Sequence, residues 1–330
     1  MSLYFKNEHY RRQSLKDAKR EYLNMHSVKE AFFLLIKNAQ ETDLFNLCKF
    51  VQSHYPQLSL HECYQLTQGE GNEILPLDEE VLSTIYHCAY QCLESGNSLG
   101  TRTIMDGKIN TSDWMGHCLW EGKLAGQLAS ILNLDVSRAE KLGILHDYGR
   151  KISQDVNHIT RGYEELSDAG WNEEALGCLT HSFLAGGRCS WNDSPEDGFY
   201  VNEKGEPYWE LGATKDDITI FLEHYSYTEY DHILNIADLM ATSKAIVSPA
   251  ERIADIATRR KEFDPRNRLY FLAELSNKLI EMLIKMGGEV PEDMSQKVVV
   301  KKGVTLEAIT LKFERASTLF FAEYQKRIYC

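Results

Sequence analysis

Leu142-Gly143-Ile144-Leu145-His146-Asp147-Tyr148-Gly149-Arg150 is the stretch on which the reading of this chain turns. Ala139, Leu142 and Leu145 recur at helical spacing, on a helix that opens near Ser137. That helix delivers His146 and Asp147 near its end, close to Gly149. Upstream, Asp113 has the chemistry of an N-cap for a helix on which His117, Glu121, Leu124 and Leu128 share one face. Downstream, helices around His158–Leu166 and Asn172–Phe183 carry His158 and His181, and another from about Asp231 to Ser243 carries Asp238. Asp238 lies within Ile236-Ala237-Asp238-Leu239-Met240, an apolar setting where a bare carboxylate is costly and a cation removes the cost. Gly143 and Gly177, one turn before Asp147 and His181, are read as leaving room for a buried ion.

Imidazole and carboxylate together suit one or two divalent transition metal ions: Mn, Fe, Co, Ni or Zn. Carboxylates bridge pairs of such ions, and water bound there becomes a nucleophile near neutral pH. A lone His-Asp dipeptide carries little information; the ordered set His117, His146-Asp147, His158, His181 and Asp238 carries much more.

Over roughly residues 113–243 that set resembles the HD-domain metal-dependent phosphohydrolase superfamily. The likeness is carried by Leu145-His146-Asp147-Tyr148-Gly149-Arg150, His158-Ile159-Thr160-Arg161-Gly162-Tyr163-Glu164, Thr180-His181-Ser182 and Asn235-Ile236-Ala237-Asp238. The resemblance implies an all-α HD-domain helical bundle with a basic metal site of His117, His146, Asp147 and Asp238. It also implies that His158 and His181 match the extra histidines of two-metal members, with Asp147 bridging. Arg150 stands where many members carry Lys, keeping a positive charge for phosphate. Nothing after His181 matches the Gly-Tyr-Pro signature of cyclic-di-GMP phosphodiesterases.

Around this core the chain reads as helical nearly throughout. Residues 1–100 form an N-terminal helical cap or subdomain, 101–250 the metal-binding catalytic core, and 251–330 a C-terminal helical extension. Within the core, 186–217 turns to Gly, Pro, Asp and aromatics, an insertion placed to act as a lid. There Phe199-Tyr200-Val201 and Tyr208-Trp209 flank Asn202–Gly205 as a small β-hairpin. Ser248-Pro249-Ala250-Glu251 is a capping box with Pro at the first helical position, and Pro265 opens a long helix that stops at Gly287-Gly288.

Arg150, Lys151, Arg161 and Arg188 are candidates to line a phosphate pocket, and Lys244 is a weaker one. Arg259-Arg260-Lys261 reads as solvated surface. A zinc site of His61-Glu62-Cys63 with His87-Cys88 and Cys92 is disfavoured, because no C-x-x-C pair occurs. Cys118 reads as packing rather than as a nucleophile. No P-loop, dinucleotide fingerprint or nucleophile elbow is present.

The 330 residues carry a formal net charge of −13, which argues against general nucleic-acid binding or attachment to an anionic membrane. A bound cation still permits a small phosphorylated substrate. Eight cysteines in a chain this long read as reduced thiols in a cytoplasm, and the polar start (Lys6, Asn7, Glu8, Arg11, Arg12) is not a secretory signal. Self-association into a homo-oligomer is left open.

Phosphoester hydrolysis by a metal-bound hydroxide, with Asp147 and Arg150 as the catalytic pair, is the leading expectation. An HD-fold di-iron oxygenase that cleaves a C–H bond with dioxygen is the second. A catalytically idle ligand-binding regulatory module is the third.

Overall fold

The computed structural model describes residues 26–37, 41–99, 101–105, 108–112, 114–152, 158–184, 222, 225–259 and 265–329. Helices α1 (Val28–Ile36), α2 (Glu41–His54), α3 (Leu60–Thr67) and α4 (Glu79–Glu94) come first. A hairpin, β1 (Thr101–Met105) and β2 (Lys108–Ser112), leads into α5 (Trp114–Ile131) and α6 (Val136–Leu145). A short 3-10 turn, Tyr148–Lys151, precedes α7 (His158–Asp168) and α8 (Asn172–Thr180). Then come α9 (Glu229–Asp238), α10 (Pro249–Arg259), α11 (Pro265–Lys285) and α12 (Leu306–Tyr329).

Local chemistry starts and stops these helices. Ser27 with Glu30, Ser59 with Glu62, and Thr228 with Asp231 form reciprocal capping boxes on α1, α3 and α9. The expected box on α10 is present, with Glu251 accepting from Ser248 N at 2.9 Å and donating its own N–H to Ser248 Oγ at 3.3 Å. The α11 helix ends as its glycines require. Gly287 adopts φ +78° and Gly288 N–H returns to the Leu283 carbonyl at 2.9 Å.

Two apolar clusters share α5 as a common wall. The first joins α1 to α4 with Trp114, Met115, Cys118 and Leu119 of α5 and the inner faces of α6 to α8. The second joins Leu124, Ala125, Leu128 and Ala129 of α5 with α9 to α12. Helix α5 is therefore buried nearly all round rather than along one stripe. At its far end, Tyr324 of α12 donates its hydroxyl to Gln127 Oε1 at 2.6 Å.

One expectation changes, the end of the helix that carries Asp238, and two others are not tested. The hairpin read at Phe199–Trp209 and the N-cap at Asp113 lie outside the described residues. The two-stranded antiparallel sheet that is described is β1–β2, whose register pairs Thr101 with Ser112 and Met105 with Lys108. Its sequence signal is Asp106-Gly107, a favoured two-residue hairpin connection, flanked by β-branched Thr103, Ile104 and Ile109. Helix α9 ends at Asp238 rather than Ser243. The chain folds back there, with Thr242 N–H donating to the Ala245 carbonyl and Val247 N–H to Met240 at 2.9 and 2.8 Å.

A candidate metal centre

The backbones of α5 and α6 meet at a glycine pair. A Cβ on Gly143 would lie 2.7 Å from Gly122 Cα and 2.8 Å from the Glu121 carbonyl oxygen. Gly143 thus admits a neighbouring backbone rather than an ion, and Gly177 faces only Leu142 and Leu234. This crossing brings His117, five residues before Gly122, against His146, three residues after Gly143; their Nε2 atoms lie 3.2 Å apart. A second tight seat holds the 3-10 turn against α7. A Cβ on Gly149 would sit 2.5 Å from Gly162 N, a closeness that no side chain tolerates. It brings His158 Nε2 to 2.9 Å from Asp147 Oδ1.

Helix ends supply most of the remaining geometry. His146 and His181 occupy the C-cap positions of α6 and α8, and Asp238 is the last residue of α9. Each of these helices presents the negative end of its dipole to the site, which favours a cation there. In both capping histidines, Nδ1 donates to a carbonyl three residues back. His146 reaches Gly143 O at 2.7 Å and His181 reaches Cys178 O at 2.9 Å. That bond fixes the tautomer and leaves each Nε2 lone pair turned into the site.

The six sequence candidates converge in two lobes, and a seventh residue joins them. His117 Nε2 lies 3.1 Å from Asp238 Oδ1, and His181 Nε2 lies 3.5 Å from both Asp147 Oδ1 and His158 Nε2. The seventh is Glu121, fully buried, whose Oε2 is 2.9 Å from His146 Nε2 and 3.5 Å from His117 Nε2. The ligand atoms of His117, Glu121, His146 and Asp238 all lie within 4.8 Å of one another, and so do those of His146, Asp147 and His181. Both groups are able to hold a metal ion. The sequence reading placed Glu121 on the His117 face without assigning it chemistry. The i, i+4 spacing of His117 and Glu121 was the available signal.

Electrostatics here follow burial first. Burial pushes the Glu121 carboxyl up to about 8, against the pull of His146. It opposes protonation of His146 too, but the Glu121 and Asp147 carboxylates outweigh it and raise that imidazole well above its ordinary value. Burial lowers His181 to about 3 and also lowers His117 despite its bond to Asp238. Asp147 is held well below the carboxylate range because Arg150, His146 and His158 overcome its burial. Asp238 is lowered chiefly by His117, against burial, and is the one member open to solvent, with 24% of its side chain exposed.

Of the basic candidates, Arg150 donates its Nε–H to Asp147 Oδ2. Lys151 is engaged by Glu165 and by the Tyr148 hydroxyl. Arg161 is half-buried on α7, Lys244 is exposed on the turn after Asp238, and Arg188 lies outside the described residues. Cys118 is buried and its thiol is pushed well up by that burial, in keeping with packing. Among the described residues, His61, Cys63, His87, Cys88 and Cys92 form no group of metal-ligand atoms.

The HD domain family model matches residues 114–184, the span from α5 through the turn after His181. The chain carries an HD domain. HD domains bind divalent metals and are generally hydrolases, and the His/Asp/Glu cluster of this HD domain is able to hold such an ion. The matched span ends before Asp238, which α9 brings in from outside it. No curated protein and no solved structure matches the chain. Among the described residues, no helix is long and apolar enough to cross a membrane.

Proposed function

We propose that the chain is a metal-dependent phosphohydrolase acting on a small nucleotide-like or otherwise phosphorylated metabolite. The observation that carries this reading is the position of Asp147 between two groups of imidazoles, with a guanidinium on its outer oxygen. Asp147 Oδ1 faces His158 and His181, while Oδ2 faces His146 at 3.4 Å and accepts from Arg150. The residues fit one or two divalent ions: buried acceptors face one another, and Glu121 Oε1 and Oε2 and Asp147 Oδ1 have no hydrogen-bond donor.

Bound there, such ions supply the Lewis acidity that lets water attack phosphorus near neutral pH. The protein's own part is orientation and charge. Nδ1 bonds to backbone carbonyls hold His146 and His181 in the tautomer that presents Nε2. Arg150, with 21% of its side chain exposed at the edge of the cluster, is placed to pair with phosphoryl oxygens while it orients Asp147. Asp238 forms the open side of the site, through which a substrate enters. Residues 186–217, read from the sequence as a lid, lie outside the described residues.

The test is a panel of nucleotides and phosphate esters, assayed for phosphate release with Mn, Fe, Co, Ni and Zn in turn, beside a metal count on the purified protein. Phosphate release with one or two bound ions supports hydrolysis. A di-iron optical or paramagnetic signal with oxidation of a C–H bond and no phosphate release replaces it with the oxygenase. Tight ligand binding without turnover replaces it with the idle module.

A further inference from the structure

Glu121 stands in the middle of α5 with no exposed surface and with both carboxylate oxygens lacking a hydrogen-bond donor. A buried carboxylate left this way is strongly disfavoured unless a positive charge sits against it. Its nearest polar neighbours are His146 Nε2 at 2.9 Å and His117 Nε2 at 3.5 Å. His146 donates through Nδ1 to Gly143, so in the neutral form that metal ligation requires, Nε2 turns a lone pair toward Glu121. Asp238 Oδ1 closes the group at 3.1 Å from His117 Nε2. With both imidazoles presenting Nε2 as a lone pair, four acceptor atoms converge on one point, and a single divalent ion satisfies them together. A tetrahedral site with bonds of about 2.1 Å has ligand–ligand edges of about 3.4 Å. Four of the contacts among these atoms run from 2.9 to 3.5 Å, and all of the atoms lie within 4.8 Å of one another.

The other lobe is poorer in negative charge. It holds His158, His181 and a single carboxylate, Asp147, whose Oδ2 is already engaged by the Arg150 guanidinium. Two carboxylates neutralise a divalent ion in the first lobe. In the second, one carboxylate faces both the ion and an arginine.

We propose that Glu121 is a metal ligand and makes the two lobes unequal, so that ions load in order. The lobe of His117, Glu121, His146 and Asp238 fills first, and the lobe of Asp147, His158 and His181 fills second and more weakly. This rests on the metal-dependent reading above and assigns a ligand to it that the His117, His146, Asp147 and Asp238 set leaves out.

The experiment is a titration of chelator-stripped full-length protein with Mn(II), reading free ion by paramagnetic resonance and binding by calorimetry. Wild type is expected to bind in two phases with affinities at least about 10-fold apart. Glu121→Gln, which keeps the shape and removes the charge, weakens the tight phase by at least about 100-fold. His158→Gln removes the weak phase and leaves the tight one intact. A tight phase unchanged in Glu121→Gln overturns the proposal while leaving the hydrolase reading in place, as does a tight phase lost in His158→Gln. A wild-type protein that binds no ion overturns both. Should Glu121→Gln fail to fold, as judged by circular dichroism, anomalous scattering from wild-type crystals at low Mn(II) decides. A peak within about 2.2 Å of the Glu121 carboxylate supports the assignment, and a first peak beside His158 and His181 overturns it.

Discussion

The side-chain amide of Asn235 donates two hydrogen bonds, to the carbonyl oxygens of Thr180 at 2.8 Å and His181 at 2.6 Å. Those carbonyls end α8 and have no partner within their own helix. One turn further along α9 lies Asp238, so a single amide ties the strut that carries His181 to the strut that carries Asp238. Asp231, on the same helix, adds a third tie by accepting from Thr180 Oγ1 at 2.8 Å.

Asn235 is a positioning residue on this geometry. Asn235→Ala removes the amide donor from the His181 carbonyl, while the Thr180 carbonyl keeps the Phe183 N–H at 3.0 Å, and is expected to lower unfolding stability by about 1–3 kcal/mol in a urea titration. It also weakens Mn(II) binding. Asn235→Asp, which turns an acceptor toward two acceptors, does at least as much damage. An alanine variant with wild-type stability and wild-type metal affinity rules the tie out.

Gly143→Ala tests the crossing on which the centre is built. The added methyl would lie 2.7 Å from Gly122 Cα, backbone rather than a flexible side-chain tip, so α5 and α6 must separate. The expected loss is about 1–3 kcal/mol, with His117 and His146 drawn apart and metal content reduced. Gly177→Ala is the control, since its methyl would meet only the ends of Leu142 and Leu234. Thermal melts and metal analysis of the two variants should diverge.

Arg150→Ala is expected to retain its metal and lose turnover. Arg150 donates to Asp147 Oδ2 from the edge of the cluster, and the ligands on either side stay in place. Removing a charge aimed at a reacting phosphoryl group lowers kcat by about 10²–10³-fold. Arg150→Lys restores part of it, because an ammonium keeps the charge but not the planar, bidentate fork. Phosphate release on the best ester from the panel, beside a metal count, separates this from simple loss of the ion.

How much of this was legible in sequence depends on which forces leave a pattern. The Ser248 and Glu251 box and the Gly287 stop are local and were readable residue by residue. The ordered histidines and aspartates marked the HD core before any coordinates. Glu121 was placed on the face of His117, Leu124 and Leu128 but given no chemistry, because a glutamate four residues after a histidine also reads as an ordinary helix pair. Only the packing of α5 against two apolar clusters shows that this helix has no solvated face here. Gly143 was read as space for an ion because sequence shows that a side chain is missing but not what fills the gap. The end of α9 at Asp238 escaped for a related reason. No Gly or Pro stops the helix there, and the fold-back is set by Thr242, whose hydroxyl caps the turn at Lys244 and Ala245.

Acid sensitivity is expected from His232, which lies on α9 away from the metal cluster. Burial and the ammonium of Lys278 lower its pKa from 6.5, outweighing Asp231, Glu229 and Glu281. Lys278 Nζ lies 3.3 Å from His232 Nε2 and donates to it, so a protonated ring would lose that bond and face a second cation. The folded state therefore resists a proton that the unfolded state accepts at its ordinary value of 6.5. The sign follows from linkage: stability is full above that value and falls as pH drops through it toward the folded-state pKa. His232→Asn keeps an acceptor for Lys278 and removes the titration. Between about pH 7 and about pH 5, urea unfolding should show a smaller loss of stability for the variant than for wild type. Equal losses in the two proteins would assign the acid sensitivity to other groups.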